Sequence, residues 1–418
     1  MPEKVISVGL ILPELTRGVA EEHLDELEQL IRTAGGTVAA KLLAKRPAPD
    51  PATYVGSGKA EDIKQLVAYH DANLVVFDDD LTPAQVRNLE KIIEKAKVID
   101  RSGLILDIFA GRARSREART QVELAQLEYL LPRLTRAWSH LERQAGGIGT
   151  RGVGETQLEL DRRIIRTRIA KLKEDLRHIE RTRETQRKGR ADVYTVALVG
   201  YTNAGKSTLF NRLTRGGAEA ADKLFATLDA KSQRAAFEMP RETVIIDTVG
   251  FIRKLPHDLV ASFRSTMEEA VAADLVLHVV DHSHPQFEDQ RAIGDEVLRD
   301  LGVDADRVVE VYNKSDVIGD EPRLRRRNAV AISALKGTGV EDLIEVIRER
   351  ELEGGEVLTI EIPHGESRLA ARLHEVAQVY EQAQTDSGTR FTAWLPKDSI
   401  HLFEPYTAAT LLKPARVS

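Results

Sequence analysis

The sequence predicts a multidomain α/β protein built on mostly parallel sheets, and three observations lead to this class. First, a length of 418 residues favours two to four domains of roughly 100 to 200 residues each. Second, short apolar runs alternate with amphipathic stretches before residue 110 and after residue 193, as strands alternate with helices. Third, a long helical periodicity separates these regions. We therefore predict an N-terminal α/β domain at 1–112, a helical hairpin arm at 113–190, a doubly wound, mostly parallel α/β domain at 191–352 and a small C-terminal α/β domain at 353–418.

The composition is that of a folded protein of a reducing compartment. Hydrophobic residues make up 42% of the chain and charged residues 30%, which excludes a mostly disordered protein. Cysteine is absent, so disulfides and thiolate metal sites are excluded. No apolar stretch approaches the roughly 18 to 20 residues that a membrane-spanning helix needs. We therefore expect a cytoplasmic protein without a transmembrane segment, and any contact with a membrane would be peripheral.

The net charge of -6 hides a basic segment. Residues 101–190 contain 21 Lys and Arg against 12 Asp and Glu, whereas the rest of the chain is acidic. Such a segment attracts polyanions such as RNA. A solvated helix face rich in Arg is an equally good interpretation.

In the N-terminal domain, apolar runs at 5–12, 37–44 and 74–77 predict strands, and amphipathic stretches at 21–32 and 83–95 predict helices. The segment 54–59, Tyr-Val-Gly-Ser-Gly-Lys, looks like a phosphate loop. It lacks the four-residue spacing before Gly-Lys, and Ala60 stands where Ser or Thr should follow. A second nucleotide site here is the less favoured interpretation and is left open.

Two helical seams predict the antiparallel hairpin of the arm. Apolar residues recur at spacings of three and four over 124–141, where Pro132 should kink the helix, and again over 165–179. The predicted tip at 146–154 contains five glycines in nine residues and Arg151. A turn that only reverses direction needs fewer glycines, so we favour a tip that approaches a ligand closely over a merely flexible loop.

A phosphate-binding loop opens the third domain. After an apolar run at 194–199, the sequence fits G-x-x-x-x-G-K-[ST] and leads into a helical pattern. Backbone N–H groups of such a loop face the phosphates, Lys206 reaches the β and γ oxygens, and the Ser207 hydroxyl suits Mg²⁺. The predicted phosphate-binding residues are Gly200, Tyr201, Thr202, Asn203, Ala204, Gly205, Lys206, Ser207 and Thr208.

Two later loops indicate guanine as the base. Asn313, Lys314 and Asp316 follow an apolar run, and the Asp316 carboxylate can accept from the ring N–H and the exocyclic amine of guanine, a donor pair that adenine lacks. Ser333, Ala334 and Leu335 follow the next strand, and their backbone N–H groups suit the guanine oxygen. Together with two further loops, at 225–227 and 247–250, the phosphate-binding loop and these two loops predict a P-loop GTPase of doubly wound fold.

Two further loops contain residues suited to detect whether the γ-phosphate is present. Asp247 and Gly250 form D-x-x-G, in which Asp247 suits Mg²⁺, directly or through water, and the Gly250 N–H suits the γ-phosphate. Thr227, near Phe225, is the candidate for the mobile threonine that completes the Mg²⁺ shell. The predicted catalytic set is Lys206, Thr227 and Gly250; the predicted Mg²⁺ ligands are Ser207, Thr227 and Asp247; Phe225 is placed among the nucleotide-binding residues.

Phe251 and Asn203 modify this prediction. Phe251 follows D-x-x-G where many small GTPases have a glutamine that orients the attacking water, and a phenyl ring cannot do this. We therefore predict slow intrinsic hydrolysis, with the missing group supplied by a partner, an ion or another loop. Asn203 resembles the residue of cation-dependent GTPases that helps to hold K⁺, although an Asn that tolerates the twist of the loop is an equal alternative.

After the predicted GTPase domain (the G domain, 191–352), apolar and amphipathic runs predict a strand at 357–362, a helix at 368–384 and a strand at 391–395.

Several motifs resemble those of the HflX family of GTPases. They are Tyr-Val-Gly-Ser-Gly-Lys at 54–59, Asp-Asp-Asp-Leu-Thr-Pro-Ala-Gln at 78–85, Asp-Arg-Ser at 100–102 with Ile-Leu-Asp-Ile-Phe at 105–109, and Gly-Thr-Arg-Gly-Val-Gly-Glu-Thr-Gln-Leu-Glu at 149–159. The last run is highly specific, and the resemblance covers nearly the whole chain. Phe251 after D-x-x-G belongs to it.

This resemblance implies a GTPase that binds the ribosome, mainly the large subunit, and splits or recycles stalled ribosomes under stress. It implies GTP or GDP with Mg²⁺ as ligands, and stimulation of hydrolysis by the large subunit. A basic arm fits contact with rRNA through Arg151, Arg162, Arg163, Arg166 and Arg168. We expect a monomer that does not bind DNA. The alternative is a GTP-dependent switch that regulates a protein partner through a coiled-coil arm.

Overall fold

The computed structural model describes residues 3–135, 157–188, 193–214, 224–225, 227–239, 241–254, 264–319, 325–326 and 328–410. The chain divides into two compact units. The first comprises residues 1–185 together with 221–229 and 252–266, and the second comprises 186–220, 230–251 and 267–418. Within the described residues, no helix has the length and apolar character that crossing a membrane requires.

The first unit begins with a four-stranded parallel sheet in the order β2-β1-β3-β4. Helices follow each strand, as expected for parallel strands joined by crossovers. The elements are β1 (Lys4–Ile11), α1 (Arg17–Thr33), β2 (Thr37–Lys45), α2 (Ser57–His70), β3 (Leu74–Phe77), α3 (Pro83–Ile93), β4 (Lys97–Asp100) and α4 (Arg101–Arg112). Apolar side chains of the central strands, such as Val8 and Phe77, form its core.

Side-chain caps fix where these helices begin. Thr82 and Gln85 form a reciprocal capping box at α3, and the Asp100 carboxylate accepts from the Gly103 N–H at the start of α4. Asp100 is fully buried and also accepts from the Tyr129 hydroxyl and the Arg133 guanidinium. This carboxylate therefore joins the sheet to the next helix.

Two helices continue the first unit towards the predicted arm. α5 (Arg116–Leu130) ends just before Pro132, where the sequence predicts a kink, and a short 3-10 helix (Arg133–Thr135) follows. α6 (Gln157–Lys188) is 32 residues long. Ion pairs of Glu123 with Arg168 and of Glu128 with Lys173 join α5 to α6. The predicted tip at 146–154 lies outside the described residues, and the antiparallel pairing of the arm stays a prediction.

The second unit contains a seven-stranded sheet in the order β10-β11-β9-β8-β5-β7-β6. Its strands pair in parallel except for β6 and β10, which lie antiparallel at the two edges. The elements are β5 (Tyr194–Gly200), α7 (Lys206–Thr214), β6 (Lys231–Arg234), β7 (Thr243–Asp247), α8 (Arg264–Ala272), β8 (Leu275–Asp281), α9 (Phe287–Asp300), β9 (Val308–Asn313), α10 (Ser315–Ile318), β10 (Arg325–Arg326), β11 (Ala329–Ala331) and α11 (Val340–Glu353). The predicted multidomain α/β class with a mostly parallel sheet is confirmed.

A second sheet in this unit is antiparallel, in the order β13-β14-β12-β15. It comprises β12 (Gly355–Pro363), α12 (Ser367–Val376), β13 (Gln378–Gln384), β14 (Gly388–Pro396), α13 (Lys397–Ile400) and β15 (Thr407–Thr410). The sequence predicts one helix over 368–384, but the helix ends at Val376. Ala377 takes extended dihedrals, and six of the next seven residues pair with β14, with a register shift at Tyr380.

Candidate functional site

The predicted phosphate-binding loop lies between β5 and α7, at the carboxyl end of the parallel sheet. Gly200 has φ 142°, and a Cβ there would lie 2.1 Å from the Val279 carbonyl oxygen. Gly205 has φ 96°, and a Cβ there would lie 2.2 Å from Asn313 Nδ2. Both positions therefore require glycine, because a side chain would meet a strand or the next loop.

Lys206 is buried inside this loop. Its ammonium donates to the carbonyl oxygens of Gly200 at 3.0 Å and Tyr201 at 2.9 Å. Burial lowers the pKa of Lys206 to about 8, and the nearby Asp247 carboxylate opposes this shift. The two hydrogen-bond partners are neutral carbonyls, which phosphate oxygens can replace.

The D-x-x-G loop pairs directly with the phosphate loop. Phe251 N–H donates to the Gly200 carbonyl at 2.9 Å, and Thr202 N–H donates to the Phe251 carbonyl at 2.7 Å. A Cβ on Gly250 would lie 2.9 Å from Lys206 Nζ. The two loops are thus one hydrogen-bonded surface, with Gly250 next to the lysine that is expected to reach the γ-phosphate.

The donor set for a divalent cation is made of oxygen atoms. Ser207 Oγ donates to Asp247 Oδ2 at 2.8 Å, and the Asp247 side chain is fully buried. A hydroxyl and a carboxylate at this spacing suit Mg²⁺, which takes few protein ligands and fills its shell with phosphate and water. The described residues contain no group of three or more His, Cys, Asp or Glu side chains placed to hold a metal.

Three loops build the predicted base pocket. Asn313 links two of them, because its amide donates to the Ala204 carbonyl at 2.8 Å and its oxygen accepts from the Ala334 N–H at 2.9 Å. Asp316 accepts from the Ser333 hydroxyl at 2.7 Å, which fixes one carboxylate oxygen. Lys314 pairs with Asp281 at 2.6 Å. The structure thus brings Asn313, Asp316, Ser333 and Ala334 together.

Arg212 belongs to this pocket although sequence reasoning missed it. Its guanidinium donates to the carbonyls of Ala334 at 3.2 Å and Leu335 at 2.6 Å, so that α7 supports the loop at 333–335. Leu335 itself is 72% exposed, so its side chain adds little to the pocket. No motif marks Arg212, because its partners are backbone atoms more than 100 residues away.

Thr227 and Phe225 belong to the first of the two units, whereas the other predicted nucleotide ligands belong to the second. Both side chains are buried. Phe225 packs edge-on against Phe109, with ring centroids 4.6 Å apart. Their predicted contacts with nucleotide and Mg²⁺ stay predictions.

The residue after D-x-x-G packs into the protein interior. Phe251 is 2% exposed. The first unit takes over at Ile252, and within it Lys254 donates to Asp78 Oδ2 at 2.8 Å. The ring of Phe251 therefore cannot orient a water molecule, as the sequence predicts.

The predicted RNA-binding arginines differ in their surroundings. Arg163, Arg166 and Arg168 are exposed on α6, and Arg162 is half-buried. Arg168 makes a bidentate pair with Glu123, which offsets its charge. Arg151 lies outside the described residues. The segment 54–59 runs into the start of α2, and its residues 55–59 line a cavity of about 530 Å³ together with Arg46, Asp50 and Asp62.

The doubly wound sheet, the phosphate loop and the guanine-type loops define a P-loop GTPase. Three family models match the chain: "GTP-binding GTPase N-terminal" at residues 21–110, "GTP-binding GTPase Middle Region" at 112–190 and "50S ribosome-binding GTPase" at 195–314.

Full-length relatives identify the family. The chain is 46% identical over 397 residues to the GTPase HflX of Magnetococcus marinus, which covers 93% of this chain and 91% of that protein. It is 46% identical over 378 residues to the GTPase HflX of Escherichia coli, covering 88% of each chain. A solved GTP-binding protein from Sulfolobus solfataricus, in complex with GDP, is 24% identical with a TM-score of 0.45 and covers 84% of this chain and 99% of that one. The chain belongs to the HflX family of GTPases, which confirms the resemblance drawn from its motifs.

Proposed function

We propose that this GTPase binds the large ribosomal subunit in its GTP form and splits or recycles stalled ribosomes under stress. The observation that carries the proposal is the hydrogen-bonded surface of the phosphate and D-x-x-G loops, inside a chain whose G domain matches the model named "50S ribosome-binding GTPase". The exposed arginines of α6 supply cationic groups for rRNA phosphates.

The residues of the site take separate roles in this proposal. Lys206 exchanges its two carbonyl partners for β and γ oxygens, and the Gly250 N–H donates to the γ-phosphate. Ser207, Asp247 and Thr227 hold Mg²⁺, with Asp247 binding directly or through water. The bound metal neutralises charge on the phosphates. Asp316 and the loop at 333–335 select guanine.

Hydrolysis is slow in the isolated protein because Phe251 is buried and offers no hydrogen bond to water. The missing group comes from the large subunit, an ion or another loop. Turnover of GTP is measured with and without isolated large subunits in K⁺ buffer. We expect large subunits to stimulate turnover, and Lys206→Ala to abolish it in both cases.

Co-sedimentation tests the nucleotide dependence of ribosome binding. The protein should sediment with large subunits in a non-hydrolysable GTP analogue and much less in GDP. Equal binding in both nucleotides would contradict the proposal. In the alternative function, the arm binds a protein partner; deletion of 146–154 would then leave partner binding intact, whereas insertion into rRNA should fail.

A K⁺ site at Asn203 is a separate proposal about the same loop. Asn203 has φ 63°, a left-handed conformation that Asn tolerates and Gly prefers. We expect hydrolysis to be faster in K⁺ than in Na⁺, and Asn203→Ala to remove the difference. Asn203→Gly is the matched control for backbone strain, because it relieves φ without restoring the side-chain oxygen. If Asn203→Gly retains the preference for K⁺, the side chain does not bind the ion.

A further inference from the structure

The segment 224–229, which contains Thr227, is fixed on both sides of that threonine by residues of the first unit. Leu224, Phe225, Thr227 and Leu228 are all buried. The two fixed points lie at Phe225 and Asp229, each two residues from Thr227. They are formed by the end of α4 and the start of α5.

Arg112, the last residue of α4, makes the first contact. Its guanidinium donates to the Phe225 carbonyl at 2.6 Å. Phe225 has φ 55°, which L-residues other than Asn and Asp rarely adopt, and its ring packs on Phe109 of the same helix. The charged donor and the ring contact together hold a backbone conformation that is unfavourable on its own.

Asp229 makes the second contact, at the N-terminus of α5. Its carboxylate accepts from the backbone N–H groups of Arg114 at 3.0 Å and Ser115 at 3.1 Å, and also from the Ser115 hydroxyl. Ser115 is the N-cap of α5 and accepts from the Ala118 N–H. A carboxylate is favoured here because N–H groups at the start of a helix lack partners within the helix and carry partial positive charge.

We propose that Arg112 and Asp229 are positioning residues for Thr227, holding it for the Mg²⁺ and γ-phosphate contacts of the GTP state. The inference rests on the role of Thr227 in the proposed function. Fixing both flanks removes conformational entropy that the segment would otherwise lose when GTP binds. GDP offers no γ-phosphate to this segment, so its affinity should not depend on the two residues.

Binding of a non-hydrolysable GTP analogue and of GDP, each with Mg²⁺, tests the inference in the full chain. We expect Arg112→Ala and Asp229→Ala each to raise the Kd of the analogue by about 10-fold, the equivalent of one lost charge-assisted hydrogen bond. The Kd of GDP should be unchanged. Arg114→Ala is the matched control, because that side chain is exposed and only its backbone contacts Asp229. Asp229→Asn keeps an oxygen acceptor and should restore part of the affinity.

Each other outcome counts against the inference. Equal weakening of both nucleotides, or a lower thermal midpoint with no difference between them, would show a purely structural role. Tighter binding of the analogue would show that the contacts restrain Thr227 away from the nucleotide. Thr227→Ala distinguishes failure of the proposed function from failure of the positioning inference. If it leaves the affinity for the GTP analogue unchanged, the proposed role of Thr227 fails. If it weakens the analogue while Arg112→Ala and Asp229→Ala do not, only the positioning inference fails.

Discussion

Asp316 is the residue on which the choice of purine depends. One of its oxygens accepts from Ser333 and the other lies 4.0 Å from Lys336 Nζ, so the carboxylate is held at the pocket beside a cation. Asp316→Asn replaces an acceptor pair with an acceptor and a donor. We expect GTP affinity to fall by about 100-fold, from the loss of charged hydrogen bonds to guanine. Xanthosine triphosphate, which has a carbonyl in place of the amine, should bind the variant better than GTP does in competition assays.

Ser333→Ala is the control for this substitution. It removes the hydroxyl that orients Asp316 but leaves the carboxylate, so GTP should weaken by less and the preference for guanine should remain. An Asp316→Asn variant that keeps the same preference for GTP over xanthosine triphosphate would show that another group reads the base.

Glu351 gives the second unit a pH-dependent stability. Its side chain is fully buried, and burial raises the pKa of Glu351 to about 7, against the opposing effect of Arg241. The folded state therefore binds the proton more tightly than the unfolded state, in which the pKa is about 4.3. The contribution to the free energy of unfolding is complete below about pH 4.3 and is lost as the pH rises through 7, by roughly 3 kcal/mol.

Glu351→Gln should flatten the pH dependence of the unfolding free energy between about pH 4.3 and 7, measured by denaturant titration. Glu349→Gln, on the same helix but exposed, is the matched control and should leave the slope unchanged. Equal slopes in the wild type and Glu351→Gln would mean that Glu351 stays ionised beside Arg241 throughout this range.

The site residues that the sequence predicts are those that local pattern determines. Asp247 and Asn313 are the last residues of strands, Lys206 comes a fixed six residues after one, and the sheet brings the ends of these strands together. Arg212, Arg112 and Asp229 gave no signal, because their partners are backbone groups brought near by folding. The Arg241 backbone N–H donates to the Glu351 carboxylate, and the Arg241 guanidinium stacks over Tyr194 and Trp394; these contacts too join residues that are distant in sequence. Tertiary partners of backbone atoms leave no spacing rule in a sequence.

At the level of elements, the sequence predicts that a helix or strand is present better than it predicts the residue at which that element ends. Central strands such as β1, β3 and β5 are predicted because each is a short apolar run between turns. The strands β4 (Lys97–Asp100), β6 (Lys231–Arg234) and β10 (Arg325–Arg326) are not predicted, because they are short and polar or only partly apolar. The predicted helix at 368–384 is too long, because residues 378–384 include polar side chains that suit a helix face as well as an edge strand. Pairing with β14 decides between them, and that partner is distant in sequence.

The helix α6 is the element on which the RNA proposal can be tested. Arg163, Arg166 and Arg168 are all exposed, and Arg168 makes a bidentate pair with Glu123. We expect the double variant Arg163→Ala and Arg166→Ala to weaken binding to large subunits. It should also lower the slope of log K against log salt by about 1.4 to 1.8, the amount for two lost phosphate contacts.

The double variant Arg368→Ala and Arg372→Ala provides a control with the same change in net charge. Both residues are exposed on α12, remote in sequence from the arm. An equal loss of slope in both double variants would indicate a general effect of net charge rather than a site on α6.

At the scale of the whole molecule, the first unit links the segment around Thr227 to the arm. Asp229 contacts the start of α5, and α5 is joined to α6 by the pairs Glu123–Arg168 and Glu128–Lys173. In the proposed function, loss of the γ-phosphate removes the nucleotide contacts of Thr227, and through Asp229 this loss acts on the N-terminus of α5. By linkage, the position of the arm then acts on nucleotide affinity. The proposed ribosome function requires this coupling, because the arm must change its placement when the γ-phosphate is lost.

The absence of cysteine makes the coupling directly measurable, since two introduced cysteines are the only labels. Ala170→Cys on α6 and Asp300→Cys at the end of α9 are both exposed, and Asp300 lies at a helix C-terminus where a negative charge adds no stability. We expect the distance distribution between dyes at these positions to differ between a GTP analogue and GDP, with large subunits present. In Asp229→Ala, which separates the segment from α5, the two distributions should become alike. A single distribution for both nucleotides in the wild type would mean that the arm does not respond to the γ-phosphate, and the proposed cycle of binding and release would then need another source of movement.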